Sequence, residues 1–117
     1  MYQPISPDVI SELVNIAGQA YVLIDVENLE KYAHDETEDL RYQPEVVVKP
    51  GNAEEIAAIM VLANQNNFPV TPMGARTGLS GGALPVYGGV ALSMERFNKI
   101  VHIDERNLQV TTEPGVI

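Results

Sequence analysis

A chain of 117 residues, 45% of them hydrophobic, has the length of one domain and the material for one buried core. Sixteen acidic residues against seven basic ones give a net charge of −9, which argues against binding the phosphate backbone of a nucleic acid. With no cysteine, disulfides, thiolate metal sites and thiol nucleophiles are excluded together.

The acidic residues are uneven: residues 1–49 hold ten acids and three bases, residues 50–117 six and four. The first part is expected to present a solvated acidic surface. No segment approaches 18 apolar residues, so no membrane span is expected. The N-terminus lacks the basic start and apolar run of a signal peptide, which makes the cytoplasm the expected compartment.

In chain order, Met1–Pro7 is an irregular lead-in. Ser6-Pro7-Asp8-Val9 spells a helix start, with Ser6 as N-cap, Pro7 at the first helical position and Asp8 in the first turn. Val9, Ile10, Leu13, Val14, Ile16 and Ala17 fall at the spacing of a buried helical stripe, and Gly18 stops it. Tyr21–Ile24 is a short apolar run that fits either a strand or a helical turn. Residues 25–39 are acidic and mixed, with Leu29, Tyr32 and Ala33 as anchors, and 31–44 reads mostly as loop.

Glu45-Val-Val-Val-Lys49 is β-branched and ends at Pro50-Gly51, which reads as a strand. Asn52 then caps a helix with Glu55 three residues on, close to a capping box. Ile56, Ile59, Met60, Leu62 and Ala63 carry that helix to about Asn66, and Phe68–Thr71 is a second short strand. The strand–helix–strand order predicts parallel pairing of these two strands through a right-handed crossover.

The second strand runs into Thr71-Pro-Met-Gly-Ala-Arg-Thr-Gly-Leu-Ser-Gly-Gly-Ala-Leu-Pro85, with glycines at 74, 78, 81 and 82. Glycines let the backbone turn sharply and let another group approach it, and successive N–H groups in such a turn converge on an anion. Thr77 and Ser80 add hydroxyls and Arg76 a planar cation suited to phosphate. Arg76 is the only formal charge between Glu55 and Glu95. The spacing matches neither the G-x-G-x-x-G dinucleotide fingerprint nor the Gly-Lys-Ser/Thr phosphate loop. The position past the carboxyl end of a strand is where open α/β sheets bind ligands. A plain glycine-rich surface loop is the competing reading.

Beyond Gly88-Gly89, Val90–Met94 is a third strand, and Glu95–Asn98 is a turn or short helical connection. Lys99–Ile103 and Leu108–Thr112 flank the turn Asp104–Asn107 and read as a hairpin. Glu113-Pro-Gly-Val-Ile117 turns the chain again. The fold expected is α/β (α+β), a small mixed sheet with a strand–helix–strand unit and a C-terminal hairpin. Residues 1–30 form an N-terminal helical segment and 31–117 the main unit. Pro114-Gly115 reads as the start of a connection, so the chain is expected to be the front piece of a longer one.

Pro44-Glu-Val-Val-Val-Lys-Pro50, Glu54-Glu-Ile56, Pro72-Met-Gly-Ala-Arg-Thr-Gly-Leu-Ser-Gly-Gly82, Leu92-Ser-Met94, Asn98-Lys-Ile100, Ile103-Asp104 and Glu113-Pro-Gly-Val116 together resemble one family. Tyr32, Asp35 and Thr37 match a further upstream pattern more loosely. The chain resembles the N-terminal part of the FAD-binding domain of the vanillyl-alcohol oxidase, or p-cresol methylhydroxylase, type. Within it the likeness is to the D-lactate dehydrogenase, glycolate oxidase D-subunit and D-2-hydroxyglutarate dehydrogenase group, over about residues 30–117.

The resemblance implies that Pro72, Met73, Gly74, Ala75, Arg76, Thr77, Gly78, Leu79, Ser80, Gly81 and Gly82 wrap the FAD pyrophosphate, and that Pro114, Gly115 and Val116 line the cofactor. Some relatives hold FAD through a histidine near this loop; no histidine lies between His34 and His102, so noncovalent FAD is implied. It further implies an oxidoreductase that converts a 2-hydroxy acid to a 2-oxo acid and passes electrons to an acceptor, with the base, carboxylate clamp and metal residues outside these positions. By itself the chain is then expected to be inactive, to bind FAD weakly, and to self-associate through exposed sheet.

No paired carboxylates, Ser/His/Asp set or Cys/His pair is identifiable, so no catalytic residue is assigned. His34 and His102 lack metal-ligand spacing, and no metal is expected. Asp35, Glu36, Glu38 and Asp39 read as a solvated acidic segment, Met60, Met73 and Met94 as packing residues, and Tyr32 as an anchor against the sheet. The alternative to the flavin reading is a non-catalytic α/β module that binds another phosphate-bearing ligand or serves as an interaction domain.

Overall fold

The structure is a computed structural model and describes residues 1–117. Helix α1 spans Pro7–Ala17. The Ser6 hydroxyl accepts a hydrogen bond from Val9 N at 3.2 Å, and Gly18, at φ 93°, returns its N–H to the Val14 carbonyl. One 3₁₀ turn over Gln19–Tyr21 leads into strand β1, Val22–Leu23, so the Tyr21–Ile24 run resolves into both of its readings. Helix α2, Val26–Lys31, is a second helix that the sequence does not mark separately within the helical segment expected over residues 1–30. It is capped by the Asp25 carboxylate, which accepts from Asn28 N at 3.1 Å. It buries only Leu29, so no apolar period marks it.

Strand β2 is Val46–Val48, with all three side chains buried. Helix α3 covers Ala53–Asn66, and Asn52 Oδ1 accepts from Glu55 N at 2.8 Å. The Glu55 carboxylate reaches back one residue further than a capping box requires, to Gly51 N. Asn67, at φ 55° and ψ 51°, ends the helix in the left-handed conformation that asparagine tolerates. Strand β3 is Val70–Met73, two residues later than expected, and therefore takes Pro72 and Met73 out of the glycine-rich loop. Strand β4 is Val90–Ser93 and fully buried; β5, Ile100–Asp104, and β6, Gln109–Thr112, form the hairpin.

The main sheet has the order β1-β2-β4-β3. The sequence predicts direct pairing of β2 with β3. They are parallel members of one sheet, but β4 lies between them and is parallel to both, in register Val47↔Ala91 and Thr71↔Ala91. The β2–α3–β3 crossover thus leaves a slot of one strand's width. β4 fits it because each of its side chains is apolar or small, as a strand covered on both faces requires.

Alternation along β2 and β4 divides the core between the two faces. Val46, Val48, Val90 and Leu92 pack with α1 and α3 through Val9, Leu13, Ile59 and Leu62, and with Phe68 just beyond α3. Val47, Ala91 and Met73 face the other way, against Leu29 and Tyr32. Full burial of a valine or leucine side chain contributes about 1.5–3 kcal/mol, so the helix-covered face dominates stability. Met60, expected to pack, is 42% exposed, because it lies on the outer side of α3. The thinner second face carries the glycine-rich loop.

Candidate functional site

Residues 74–89 connect the paired parallel strands β3 and β4. A connection between parallel neighbours must run back along the full strand, and here it does so without a helix. The outward leg holds Gly74 to Ser80. No hydrogen bond within the protein uses the N–H groups of Ala75 through Ser80, and Ala75, Thr77, Gly78, Leu79 and Ser80 are exposed. A Cβ on Gly78 or Gly82 would meet nothing within 4 Å. The return leg is pinned: Leu84 and Pro85 are buried, and Ala83 packs against the Tyr32 cluster. At Gly89, φ is 69° and a Cβ would run into the Pro69 carbonyl, so only glycine allows the chain to enter β4 here.

Residues 31–37 hold the outward leg from the side. Glu36 N donates to the Gly78 carbonyl at 3.2 Å, and Gly81 N donates to Thr37 Oγ1 at 3.0 Å. Thr37 N in turn donates to Asp35 Oδ1 at 2.8 Å. The Thr37 hydrogen bonds hold the Asp35 carboxyl below its ordinary range. Arg76 sits at φ 59°, donates from Nη1 to the Lys31 carbonyl, and lays its guanidinium 4.4 Å from the Tyr32 ring centroid.

Beyond the loop lies a cleft of about 410 Å³, lined by Gly74, Ala75, Arg76, Glu95, Asn98, Gly115 and Ile117. Two segments far apart in sequence meet there. A Cβ on Gly74 would stand 3.3 Å from the Pro114 carbonyl, and Gly115 N donates to the Phe97 carbonyl at 2.7 Å. A side chain at position 115 would also strike the Phe97 oxygen at 2.7 Å, so glycine is required for the turn that lines the cleft.

The charge map changes in three dimensions. The acid-free stretch around Arg76 in the sequence becomes a site with a carboxylate on its wall, Glu95. That charge is paired: Tyr32 Oη donates to Glu95 Oε1, and Lys49 Nζ lies 3.1 Å from Glu95 Oε2. Burial raises the Glu95 carboxyl, but hydrogen bonds from Tyr32 and Lys49 outweigh it and leave it below its ordinary range. Burial, then the Glu95 carboxylate, pushes the Tyr32 phenol up.

The sequence profile of the FAD binding domain matches residues 44–117, which include the whole loop and the Pro114–Val116 segment. The chain belongs to this FAD-binding-domain family. It is 41% identical over 117 residues to a D-lactate dehydrogenase of Anaerostipes hadrus, covering 99% of this chain and 24% of the relative. It is 35% identical over 115 residues to the glycolate oxidase subunit GlcD of Bacillus subtilis, covering 97% and 24%. Among solved structures, 4-ethylphenol oxidase from Gulosibacter chungangensis superposes with TM-score 0.81 at 26% identity, and p-cresol methylhydroxylase with 0.81 at 21%, each over 99% of this chain and 24% of theirs. The expected p-cresol methylhydroxylase-type fold is therefore the observed one. The chain spans about a quarter of the length of the relatives it matches.

The FAD-binding domain brings Gly74, Ala75 and Arg76 to one cleft with Gly115, while Thr77 to Gly82 continue away from it along the 31–37 segment. Met73 is buried in the core and Pro72 lies in β3, so Met73 offers a ligand only backbone. Sequence reasoning missed Glu95 and Asn98 as cleft residues. Glu95 is signalled only by its place just past β4, which matters once β4 is known to be central, whereas Asn98 opens the Asn98-Lys-Ile100 motif of the resemblance. The residues present fit a pyrophosphate: the loop offers a run of unbonded N–H groups beside glycines with open space, and the one acid on the cleft wall is neutralised.

No group of three or more His, Asp or Glu side chains is arranged to hold a metal ion. No helix is long and apolar enough to cross a membrane.

Proposed function

We propose that this chain is the pyrophosphate-holding part of an FAD-dependent oxidoreductase that converts a 2-hydroxy acid to a 2-oxo acid. The observation that carries this reading is the unbonded run of N–H groups from Ala75 to Ser80, next to a cleft shared with Gly115. The substrate class rests on the names of the relatives: D-lactate dehydrogenase, glycolate oxidase subunit and D-2-hydroxyglutarate dehydrogenase. When bound, FAD supplies the two-electron acceptor for oxidation of the hydroxyl-bearing carbon.

The residues of this chain bind and orient. In this reading the N–H groups of 75–80, with the Thr77 and Ser80 hydroxyls, face the phosphate oxygens. Gly74, Gly78 and Gly82 permit close approach, and Pro114, Gly115 and Val116 close the cleft from the opposite side. Leu79 and Gly81 carry the backbone of the turn. No residue here is assigned to move a substrate proton; that base and the carboxylate clamp belong to other parts of the enzyme, as does the contact with an electron acceptor. Both histidines are exposed and lie outside the loop and cleft, His34 beyond α2 and His102 in the hairpin, which supports noncovalent FAD.

A chain of this size suits amide-resolved NMR. With millimolar FAD added, shifts are expected at the amides of residues 74–82 and 114–116 and to be small in α1 and α3. An absence of shifts in the loop, or shifts scattered over the surface, would overturn the reading.

A further inference from the structure

Arg76 looks, from its sequence position, like a phosphate ligand. Its surroundings assign it other work. A guanidinium grips a phosphate or carboxylate with two N–H groups on one edge of its fork. Here Nη1 is committed to the Lys31 carbonyl, and Nε is buried without a partner. Each edge of the fork that could make a paired contact therefore includes a nitrogen already turned into the protein. Its Cζ lies over the ring of Tyr32, which is 5% exposed, within the range of a cation held on an aromatic face. The carbonyl it bonds is one that the last turn of α2 leaves without a helical partner.

Arg76 is the first of three ties between the loop and the 31–37 segment. The others are Glu36 N to the Gly78 carbonyl and Gly81 N to Thr37 Oγ1. They fall at loop positions 76, 78 and 81, and they leave the N–H groups of 75–80 free. We propose that Lys31–Thr37 is a clamp that holds the FAD loop in its binding shape before the cofactor arrives, and that Arg76 is a positioning residue serving this clamp and not a phosphate ligand. The statement about FAD rests on the function proposed above; the clamp itself does not.

The test separates the two. ¹⁵N relaxation is measured on the flavin-free chain and on Arg76→Ala, Thr37→Val and Tyr32→Phe. Loop residues 76–81 are expected in the rigid range, with order parameters of about 0.85, and to fall below about 0.6 in Arg76→Ala and Thr37→Val. Tyr32→Phe keeps the ring and leaves them unchanged. FAD binding is then expected to weaken about tenfold in both loosened variants through lost preorganisation, with an unaltered dependence on salt, because no phosphate contact has been removed. A loop that is equally ordered in Arg76→Ala, or already mobile in the parent chain, would overturn the clamp. So would an Arg76→Ala loop that stays ordered while the salt dependence of FAD binding falls, which is the signature of a direct phosphate contact. Failure of the flavin reading would show separately, as no response to FAD in a chain whose relaxation results stand.

Discussion

Tyr32 is the residue at which sheet, loop and cleft meet. One side of its ring packs with Val47, Met73 and Ala91, its face carries Arg76, and its hydroxyl donates to Glu95. Its phenol is raised above the ordinary 10.0, first by burial and then by the Glu95 carboxylate. A group whose folded pKa is raised contributes stability that is fully present below its unfolded pKa and lost as pH rises through the folded value. Lys49 is also raised, since its contacts with Glu95 and Tyr32 outweigh burial, and acts in the same direction. Glu95 is lowered, so its contribution is lost at the acid end, as pH falls below the ordinary 4.5 through its folded value. Alkaline titration of tyrosinate absorbance is expected to show a late component that Tyr32→Phe removes. Curves for the two proteins that differ only in amplitude would contradict this.

At the scale of elements, α3 is the part whose local chemistry is simplest to test. Its cap is one hydrogen bond from Glu55 N to Asn52 Oδ1, and Asn52→Ala is expected to cost about 1 kcal/mol, read from the thermal midpoint by circular dichroism. A midpoint unchanged within error would mean that Gly51 and the Glu55 carboxylate cap the helix alone. The cap residues and apolar period that carry this prediction also made α1 and α3 legible in the sequence. β2 and β4 were legible as unbroken apolar runs. α2 was not, because six residues with one buried side chain have no period to read. Strand order was not legible either. The partner of β3 is chosen by which strand fits the space beside it, and no local pattern near residues 70–73 records that β4 will fill it. For the same reason the glycine loop could be recognised from its residues, whereas Glu95 and Thr37 as its neighbours could not.

The whole molecule has two unlike parts. The four-stranded sheet is covered by α1 and α3 on one face and more thinly by α2 and Tyr32 on the other, while β5 and β6 stand as a separate ribbon. An irregularity in register between Ile100 and His102 places Ile100 and Ile103 on one face, together with Val110. His102, Asp104, Gln109 and Thr111 take the other. Ile100, Ile103 and Val110 are each more than half exposed. An exposed apolar face flanked by free strand edges favours association. Lys99, Arg106, Asp104, Glu105 and Glu113 nearly balance along the ribbon, so the net charge of −9 does not by itself oppose contact between two copies there. Sedimentation is expected to show concentration-dependent dimers that Ile103→Lys disperses. A monomer at all concentrations, or a dimer indifferent to that change, would rule out the ribbon as the contact.

The central place of β4 also fixes an order of events during synthesis. β2 and β3 leave the ribosome well before residues 90–93, and β3 has no other neighbour in the sheet. It stays unzipped until β4 emerges and joins both strands at once. That single closure turns residues 74–89 from an open tether into a ring with fixed ends. Part of the loop's conformational freedom is thus surrendered in folding, before any ligand arrives, and the ties to residues 31–37 surrender more.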